Sequence, residues 1–320
     1  MTSTNPLSTN PVGLGLMAMT WWVKQTHDKQ AFGTMKAAIR NGATFWSSAA
    51  FYGTADPAAN LSLIRRYFEK YPEDASKSIK GSNKQQCCTR ASVENTLRIL
   101  GGAKDIDIFS PSRSDPKIST ERTFTELKAL VNEGNIKGVG LSEVGSKTIK
   151  RAHAAIHLCA VEVEFSLWST EILTNGVAAT CKSLNIPIIA YSPLGRGFLT
   201  GQLKNLSDVP AGDVRLHFDG FQPKNFETNL ELVSKLDAFA GSRGVTTAQL
   251  ALAWGLANSD SAECGTIVPI PGATTTQRVE ENTKITGLSA EDKAELNAIV
   301  NSVPITGGRY NEYLEKGLWG

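Results

Sequence analysis

Tyr52 and Lys80 are the residues of this chain best suited to proton transfer at a carbonyl. Tyr52 lies near the end of the run Phe45-Trp-Ser-Ser-Ala-Ala-Phe-Tyr-Gly53, which begins as an apolar strand after Asn41-Gly42 and ends in a turn. A side chain just past a strand's C-terminal end can be aimed by its loop into a cleft. Lys80 stands near the end of a second strand-like run, Ser76-Lys-Ser-Ile-Lys-Gly81. A phenol with a pKa of ~10 is a poor acid at neutral pH, and a nearby ammonium makes its ionised form easier to reach. Such a pair is a proton donor tuned for carbonyl chemistry. Taken alone, the same two residues also suit a plainer arrangement, with Tyr52 capping a core and Lys80 solvated. The rest of the chain bears on the choice.

Composition removes several other chemistries. Five cysteines (Cys87, Cys88, Cys159, Cys181, Cys264) are an odd count without Cys-x-x-Cys spacing, which fits reduced thiols rather than a disulfide frame or zinc site. His153 and His157 have i, i+4 spacing, but no glutamate follows His153 directly, so no metal is expected. A net charge of +2, from 33 basic and 31 acidic residues without a charge block, gives no footprint for nucleic acid or a membrane surface. The first eleven residues lack a basic segment followed by an apolar one, and no apolar run approaches the roughly 18 residues of a spanning helix. The expectation is a soluble, cytoplasmic protein with a small-molecule partner; its oligomeric state is not readable.

The elements that position the candidate acid alternate. Short β-branched runs predict strands at 14–20, 44–50, 77–81, 105–110, 138–143, 160–166, 187–192 and 266–271. Helical periodicity predicts helices at 31–41, 60–71, 92–100, 119–133, 146–157, 171–184, 246–257 and 276–282. Eight strand–helix pairs with several strands apolar throughout predict one (β/α)8 TIM barrel spanning residues 1–320. A doubly wound open sheet fits less well, because Gly13-Leu-Gly15 lacks the third glycine of a dinucleotide fingerprint and no acidic residue caps a second strand. Two segments break the alternation. Residues 200–229, rich in Gly, Pro, Asp and Asn, read as a long loop after strand seven, of the kind that forms lids. The tail after Val303, Pro-Ile-Thr-Gly-Gly-Arg-Tyr-Asn-Glu-Tyr, reads either as a pocket lining near the active-site face or as a loose surface tail.

In such a barrel the reactive groups sit at the C-terminal strand ends, with phosphate held after strands seven and eight. Strand seven ends Tyr191-Ser192-Pro193-Leu194-Gly195-Arg196-Gly197-Phe198, which offers an aromatic face, a hydroxyl, glycines and an arginine. Strand eight ends Pro271-Gly272-Ala273-Thr274-Thr275-Thr276-Gln277-Arg278 and leads into a helix carrying Glu281-Asn282. Glycine, threonines and a helix N-terminus make a phosphate cradle, and Arg278 adds a planar charge. The plainer reading is a Gly-Thr turn capped by Thr276. Two such loops at the two expected places favour the cradle.

With these motifs in order, the chain resembles an aldo-keto reductase from end to end. Gly13-Leu-Gly15-Leu-Met17, Tyr52-Gly53, Gly140-Leu-Ser142-Glu143, Glu162-Val-Glu164-Phe165, Tyr191 through Leu199, and Ile270-Pro-Gly272 through Arg278-Val-Glu-Glu281-Asn282 carry the likeness. The resemblance implies NADPH-dependent reduction of aldehydes or ketones, with Tyr52 as acid and Lys80 its tuner. It implies that Ser142 and Glu162 hold the nicotinamide amide and that Tyr191 stacks on the ring. The backbone of Ser192, Pro193, Leu194 and Gly195 and the side chain of Arg196 would take the pyrophosphate, with Phe198 and Gly272 completing the two loops. Thr274 and Arg278 would meet the 2′-phosphate, and Glu281 and Asn282 the adenine. Two positions depart from the family pattern: Ser47 stands where an aspartate usually pairs with the lysine, and Ser112 where a histidine usually orients the carbonyl. Fungal pyridoxal reductases depart at both places too and resemble this chain at Ser142-Glu143, Glu162-Val-Glu164 and Ser169-Thr-Glu-Ile172. That likeness implies pyridoxal as substrate. Two other functions stay open: a reshaped reductase for a conjugated double bond or a fungal metabolite, and an NADPH-binding regulatory subunit with little turnover.

Overall fold

Among the described residues of the computed structural model, eight runs form strands: β1 (Leu14–Gly15), β2 (Phe45–Ala49), β3 (Ile79–Lys84), β4 (Ile108–Phe109), β5 (Gly138–Ser142), β6 (Leu158–Glu164), β7 (Ile188–Tyr191) and β8 (Ile267–Pro269). The structure describes residues 10–23, 25–84, 89–111, 120–315 and 317–319, with the backbone alone for residues 80–84 and 120. All paired strands are parallel, in the orders β1-β2-β3 and β4-β5-β6-β7-β8. The ring closes where β8 returns to β1: the Gly13 N–H donates to Pro269 O at 2.8 Å, the Gly15 N–H to Pro271 O at 3.1 Å, and Gly15 bridges Gly272. β3 packs beside β4 on the other side. This is the (β/α)8 barrel the sequence predicts.

Burial on both faces explains the near-continuous apolar strands. Phe45, Ile108, Ala160, Ile189, Val268 and Ile270 fill the barrel interior, while their strand neighbours Trp46, Val139, Val161 and Ile188 face the surrounding helices. Along β6 the inward register that starts at Ala160 continues with Glu162 and Glu164, so two carboxylates point into the barrel's C-terminal mouth. The helices pack by their apolar stripes. Ala59–Lys70 buries Leu61, Ile64 and Phe68 at i, i+3, i+7 spacing, each worth about 1.5–3 kcal/mol when fully buried. Thr247–Leu256 starts in a capping box, with the Gln249 N–H on Thr246 Oγ1 at 3.2 Å and the Thr246 N–H on Gln249 Oε1 at 3.1 Å.

The structure departs from the expected elements in four places. The strand expected over 14–20 ends at Gly15, and Met17–Thr20 turns into a short helix. Its residues Met17-Ala-Met19 have no β-branching and favour helix. The helix expected over 171–184 is split: a 3-10 turn (Glu171–Leu173) and a helix (Val177–Ser183) are separated by Gly176 at φ 86°. The loop expected over 200–229 is shorter and ordered by 3-10 turns, since Pro223, at the first helical position, begins the 20-residue helix Pro223–Ser242. A further helix, Ala290–Ser302, starts where Ser289 Oγ accepts from the Asp292 N–H at 3.0 Å.

Closure leaves no room for a side chain at position 13. A Cβ there would lie 2.6 Å from Phe45 O and 3.0 Å from Ile270 Cγ2. Gly13→Ala should therefore lower stability by about 1–3 kcal/mol, seen as a lower denaturant midpoint. Gly241→Ala, where nothing lies within 4 Å of the added Cβ, serves as the control and should stabilise its helix slightly.

Candidate active site

Tyr52 stands three residues beyond the end of β2, as the sequence predicts, and is 9% exposed. Gly53 makes its turn possible, because a Cβ there would lie 1.9 Å from Asp56 O. Thr20 Oγ1 donates to Tyr52 O at 2.7 Å. Buried Asn60 donates to Thr20 Oγ1 at 2.8 Å and to Leu16 O at 2.9 Å, and its Oδ1 accepts from Ser48 Oγ at 2.7 Å. Asn60 thus ties β2, the Met17–Thr20 turn and the tyrosine loop into one unit. Trp21 stacks on the Tyr52 ring (5.3 Å, 27°), and Phe51 meets it edge-on (5.2 Å, 79°). The acid candidate therefore has an aromatic wall.

Of its expected companions, Lys80 is described by its backbone alone, paired with Trp46 in the β2–β3 ladder. Ser112 lies outside the described residues. Ser47 is buried, and its hydroxyl donates to Glu162, 3.4 Å from Oε1 and 3.3 Å from Oε2. Ser142, the last residue of β5, pairs with Glu162 in the ladder, so these two expected amide contacts sit side by side.

The mouth over β5–β7 is closed by a charge network that reaches into the C-terminal tail. Arg309 Nη2 donates to Glu143 Oε2 at 2.7 Å, and Arg196 Nη2 to Glu164 Oε2 at 2.6 Å. Glu164 also has Arg309 at 3.6 Å. Arg196 Nη1 donates to Arg309 O, and its guanidinium lies over the rings of Tyr310 (4.3 Å) and Phe218 (4.7 Å). The phenols of Tyr191 and Tyr310 share a hydrogen bond of 2.8 Å. Asn229 holds the tail just before this point, accepting from the Thr306 N–H at 2.9 Å and donating to Thr306 O at 3.0 Å. Of the two readings of the tail, the structure shows the packed one. Burial pushes the Glu164 carboxyl up to about 7, with the Arg196 and Arg309 guanidiniums pulling it back, and burial raises the Tyr191 phenol well above its ordinary value.

The anion loops divide. Ser192, Gly195, Arg196 and Gly197 have φ of 50°, 56°, 54° and 107°. Such left-handed steps beside right-handed ones turn backbone N–H groups to one side, which suits an anion. The side chain of Arg196, expected at the pyrophosphate, pairs with the buried Glu164. Phe198 buries its ring on Trp168 (4.6 Å, 12°) and Phe226, away from the cleft. After β8, Gly272 is exposed, Thr274 O accepts from Gln30 Nε2 at 2.7 Å, and exposed Arg278 donates to Gln202 Oε1 at 2.6 Å. Thr275, not Thr276, caps the helix Thr276–Thr283. Glu281 is half-buried on that helix and Asn282 is buried. An exposed guanidinium in the first turn of a helix, beside a glycine-lined seam, fits a phosphate of a dinucleotide.

Fold and site together define a barrel reductase. The aldo/keto reductase family matches residues 11–301, and the chain belongs to that family. It is 40% identical over 331 residues to "Probable pyridoxal reductase 2" of Schizosaccharomyces pombe, covering 98% of each chain. It is 33% identical to the NADP(+) aldo-keto reductase yakc of the same organism, covering 93% of this chain and 91% of the other. A glycerol dehydrogenase from Gluconobacter oxydans shares the fold with a TM-score of 0.79 at 21% identity, covering 93% of each chain. Membership makes the chain an NADP(H)-dependent oxidoreductase acting on small carbonyl compounds. No helix among the described residues is long and apolar enough to cross a membrane.

Sequence reasoning missed Asn60 and the pairing of Arg309 with Glu143. The available signal was Glu162-Val-Glu164 in an otherwise apolar strand, since buried carboxylates require partners. Glu164 also yields a pH prediction. Its folded value of about 7 lies above the ordinary 4.5, so between these values the folded chain holds a proton that the unfolded chain has released. Its contribution to stability is therefore largest at low pH and declines as pH rises through that window. Glu164→Gln should remove up to about 1.4 kcal/mol per pH unit of that decline, measured as denaturant stability against pH. An unchanged slope would mean that the ion pair with Arg196 keeps Glu164 ionised throughout.

Proposed function

We propose that the chain reduces pyridoxal, or a similar flat aromatic aldehyde, to the alcohol with NADPH, and that Tyr52 is the proton donor. The observation that carries this reading is Tyr52 beyond the end of β2, backed by Trp21 and edged by Phe51, at the mouth where Ser142 and Tyr191 end their strands and Glu162 stands near the end of β6. A planar ring can slide along such an aromatic wall and bring its carbonyl to the phenol. The relative named a pyridoxal reductase, similar over nearly the whole chain, supports the same substrate.

When bound, NADPH supplies the hydride that the carbonyl carbon accepts. The chain's own residues do the rest. Tyr52 gives its phenolic proton to the carbonyl oxygen as charge builds there, and Lys80 stabilises the phenolate left behind. Ser47 and Ser112 occupy two positions where the family usually has an aspartate and a histidine. Ser112 can still offer a hydroxyl to the carbonyl. Ser142 and Glu162 hold the nicotinamide amide, with Tyr191 at the ring. The backbone of Ser192–Gly195 takes the pyrophosphate, and Thr274 and Arg278 take the 2′-phosphate. Gly272 lets the chain approach closely, with Glu281 and Asn282 at the adenine.

NADPH oxidation with pyridoxal should be readily measurable in the wild type and fall by about 100-fold or more in Tyr52→Phe, the range expected for loss of a general acid. Tight NADPH binding by fluorescence without turnover of any aldehyde would replace this reading with a cofactor-binding role. Formation of a saturated ketone from a conjugated substrate would point to the reshaped reductase.

The preference for NADPH over NADH has its own test. Arg278→Ala should weaken NADPH by about tenfold or more and leave NADH nearly unchanged, as expected for losing a charged hydrogen bond to phosphate. Equal losses for the two cofactors would remove Arg278 from the 2′-phosphate.

A further inference from the structure

Ser47 on β2 and Glu162 on β6 meet across the barrel mouth, both buried, with the serine hydroxyl 3.3–3.4 Å from the two carboxylate oxygens. The fit is one of size and charge. An aspartate at 47 would carry its carboxylate into the space that separates the two side chains, and two buried like charges in contact are strongly unfavourable. Ser47 therefore leaves Glu162 as the acidic member of this pair. Of the neighbouring acids, Glu143 is matched by Arg309 and Glu164 by Arg196.

We propose that Glu162 supplies the negative charge between β2 and β6 that sets the proton affinity of Tyr52, acting as a positioning residue rather than only as a contact for the nicotinamide. The inference rests on the reading of Tyr52 as the proton donor. Its placement follows from the fold: β2 delivers Ser47 to the carboxylate and, past its end, Tyr52 to the same mouth. The other groups at this mouth are Ser142 and Glu143 from the end of β5, Glu164 from β6, Tyr191 and Arg196 from β7 and its loop, and Arg309 and Tyr310 from the tail. On β3, Lys80 stands one register position before Gly81, which pairs with Ser47.

A role confined to the nicotinamide amide makes a different prediction. Glutamine keeps a hydrogen-bonding group of the same length, so Glu162→Gln would then leave the chemistry of Tyr52 untouched. If the charge matters, removing it makes the phenolate easier to form. The Tyr52 midpoint should then fall by on the order of one pH unit.

The test is an ultraviolet phenolate titration of the full chain without cofactor or substrate. Each variant is compared with the same variant carrying Tyr52→Phe, so the difference isolates Tyr52. The expected result is a lower midpoint in Glu162→Gln and a return toward the wild-type value in Ser47→Asp/Glu162→Gln, which moves the single charge to β2. The alkaline limb of kcat for aldehyde reduction should shift in the same order. Ser47→Asp alone, with both carboxylates present, should raise the midpoint and give no gain in kcat. That arm stands even if Glu162→Gln does not fold. An unmoved midpoint in either single variant, or a tenfold gain in kcat in Ser47→Asp, overturns the proposal. Because the titration needs no turnover, a wild type that leaves pyridoxal unreduced would sink the substrate assignment without deciding this one.

Discussion

Glu143, Glu162 and Glu164 are buried together at one end of the barrel, and the structure around the site is arranged to satisfy them. Parallel strands deliver their C-terminal ends to a common face, so polar residues there leave water together. An isolated buried carboxylate costs several kcal/mol, and each of these has a partner brought from elsewhere in the chain. Arg309 comes from the tail, Arg196 from the loop after β7, and Ser47 from β2. The tail is consequently an integral part of the barrel mouth. Its Tyr310 lies on the Arg196 guanidinium and bonds Tyr191, and Trp319 donates its N–H to Glu143 O at 3.1 Å.

The apolar layer below makes this possible. Phe45, Ala160, Ile189 and Val268 fill the interior, which leaves the inward positions above Ala160 free to be polar. The same pleat that buries Ala160 points Glu162 and Glu164 into the mouth. Rigidity at Tyr52 arises differently. Asn60, buried on the helix after β2, bonds both Leu16 O and Thr20 Oγ1, and Thr20 bonds Tyr52 O. The Tyr52 loop is thereby tied to helix and strand, where an unsupported loop would let the phenol wander.

What was legible in the sequence had local causes. The strands that position Tyr52, Ser142, Glu162 and Tyr191 follow from short β-branched runs with polar stops, and the barrel follows from their alternation with helices. Where local rules conflict, the sequence pattern is ambiguous. Leu14 through Thr20 is apolar throughout, and such a run does not distinguish strand from helix until Gly15 is seen pairing with the β8 end. The helical pattern over 171–184 runs through Gly176, whose φ of 86° instead places it as the residue before the helix Val177–Ser183 and separates that helix from the 3-10 turn. The partnerships that shape the site were not legible, because they join residues far apart in sequence: Arg309 to Glu143, Arg196 to Glu164 and Ser47 to Glu162. Nothing local in Arg196 distinguishes a phosphate ligand from the counter-ion of a buried glutamate.

That last assignment changes how the site recognises its cofactor. With Arg196 and Arg309 paired to Glu164 and Glu143, a pyrophosphate there gains little from free guanidinium charge. In the proposed function, recognition of that part falls to backbone N–H groups in the left-handed turns after Tyr191, whose partial charges need no counter-ion. The exposed guanidinium stands at the other loop, on Arg278, where its present partner is the neutral Gln202. A neutral amide is easily exchanged for a phosphate, whereas Arg196 could reach one only by giving up its 2.6 Å bond to the buried Glu164 carboxylate. In the proposed function, selectivity for a 2′-phosphate is therefore assigned to Arg278, while Arg196 joins Glu164 to the tail over the mouth.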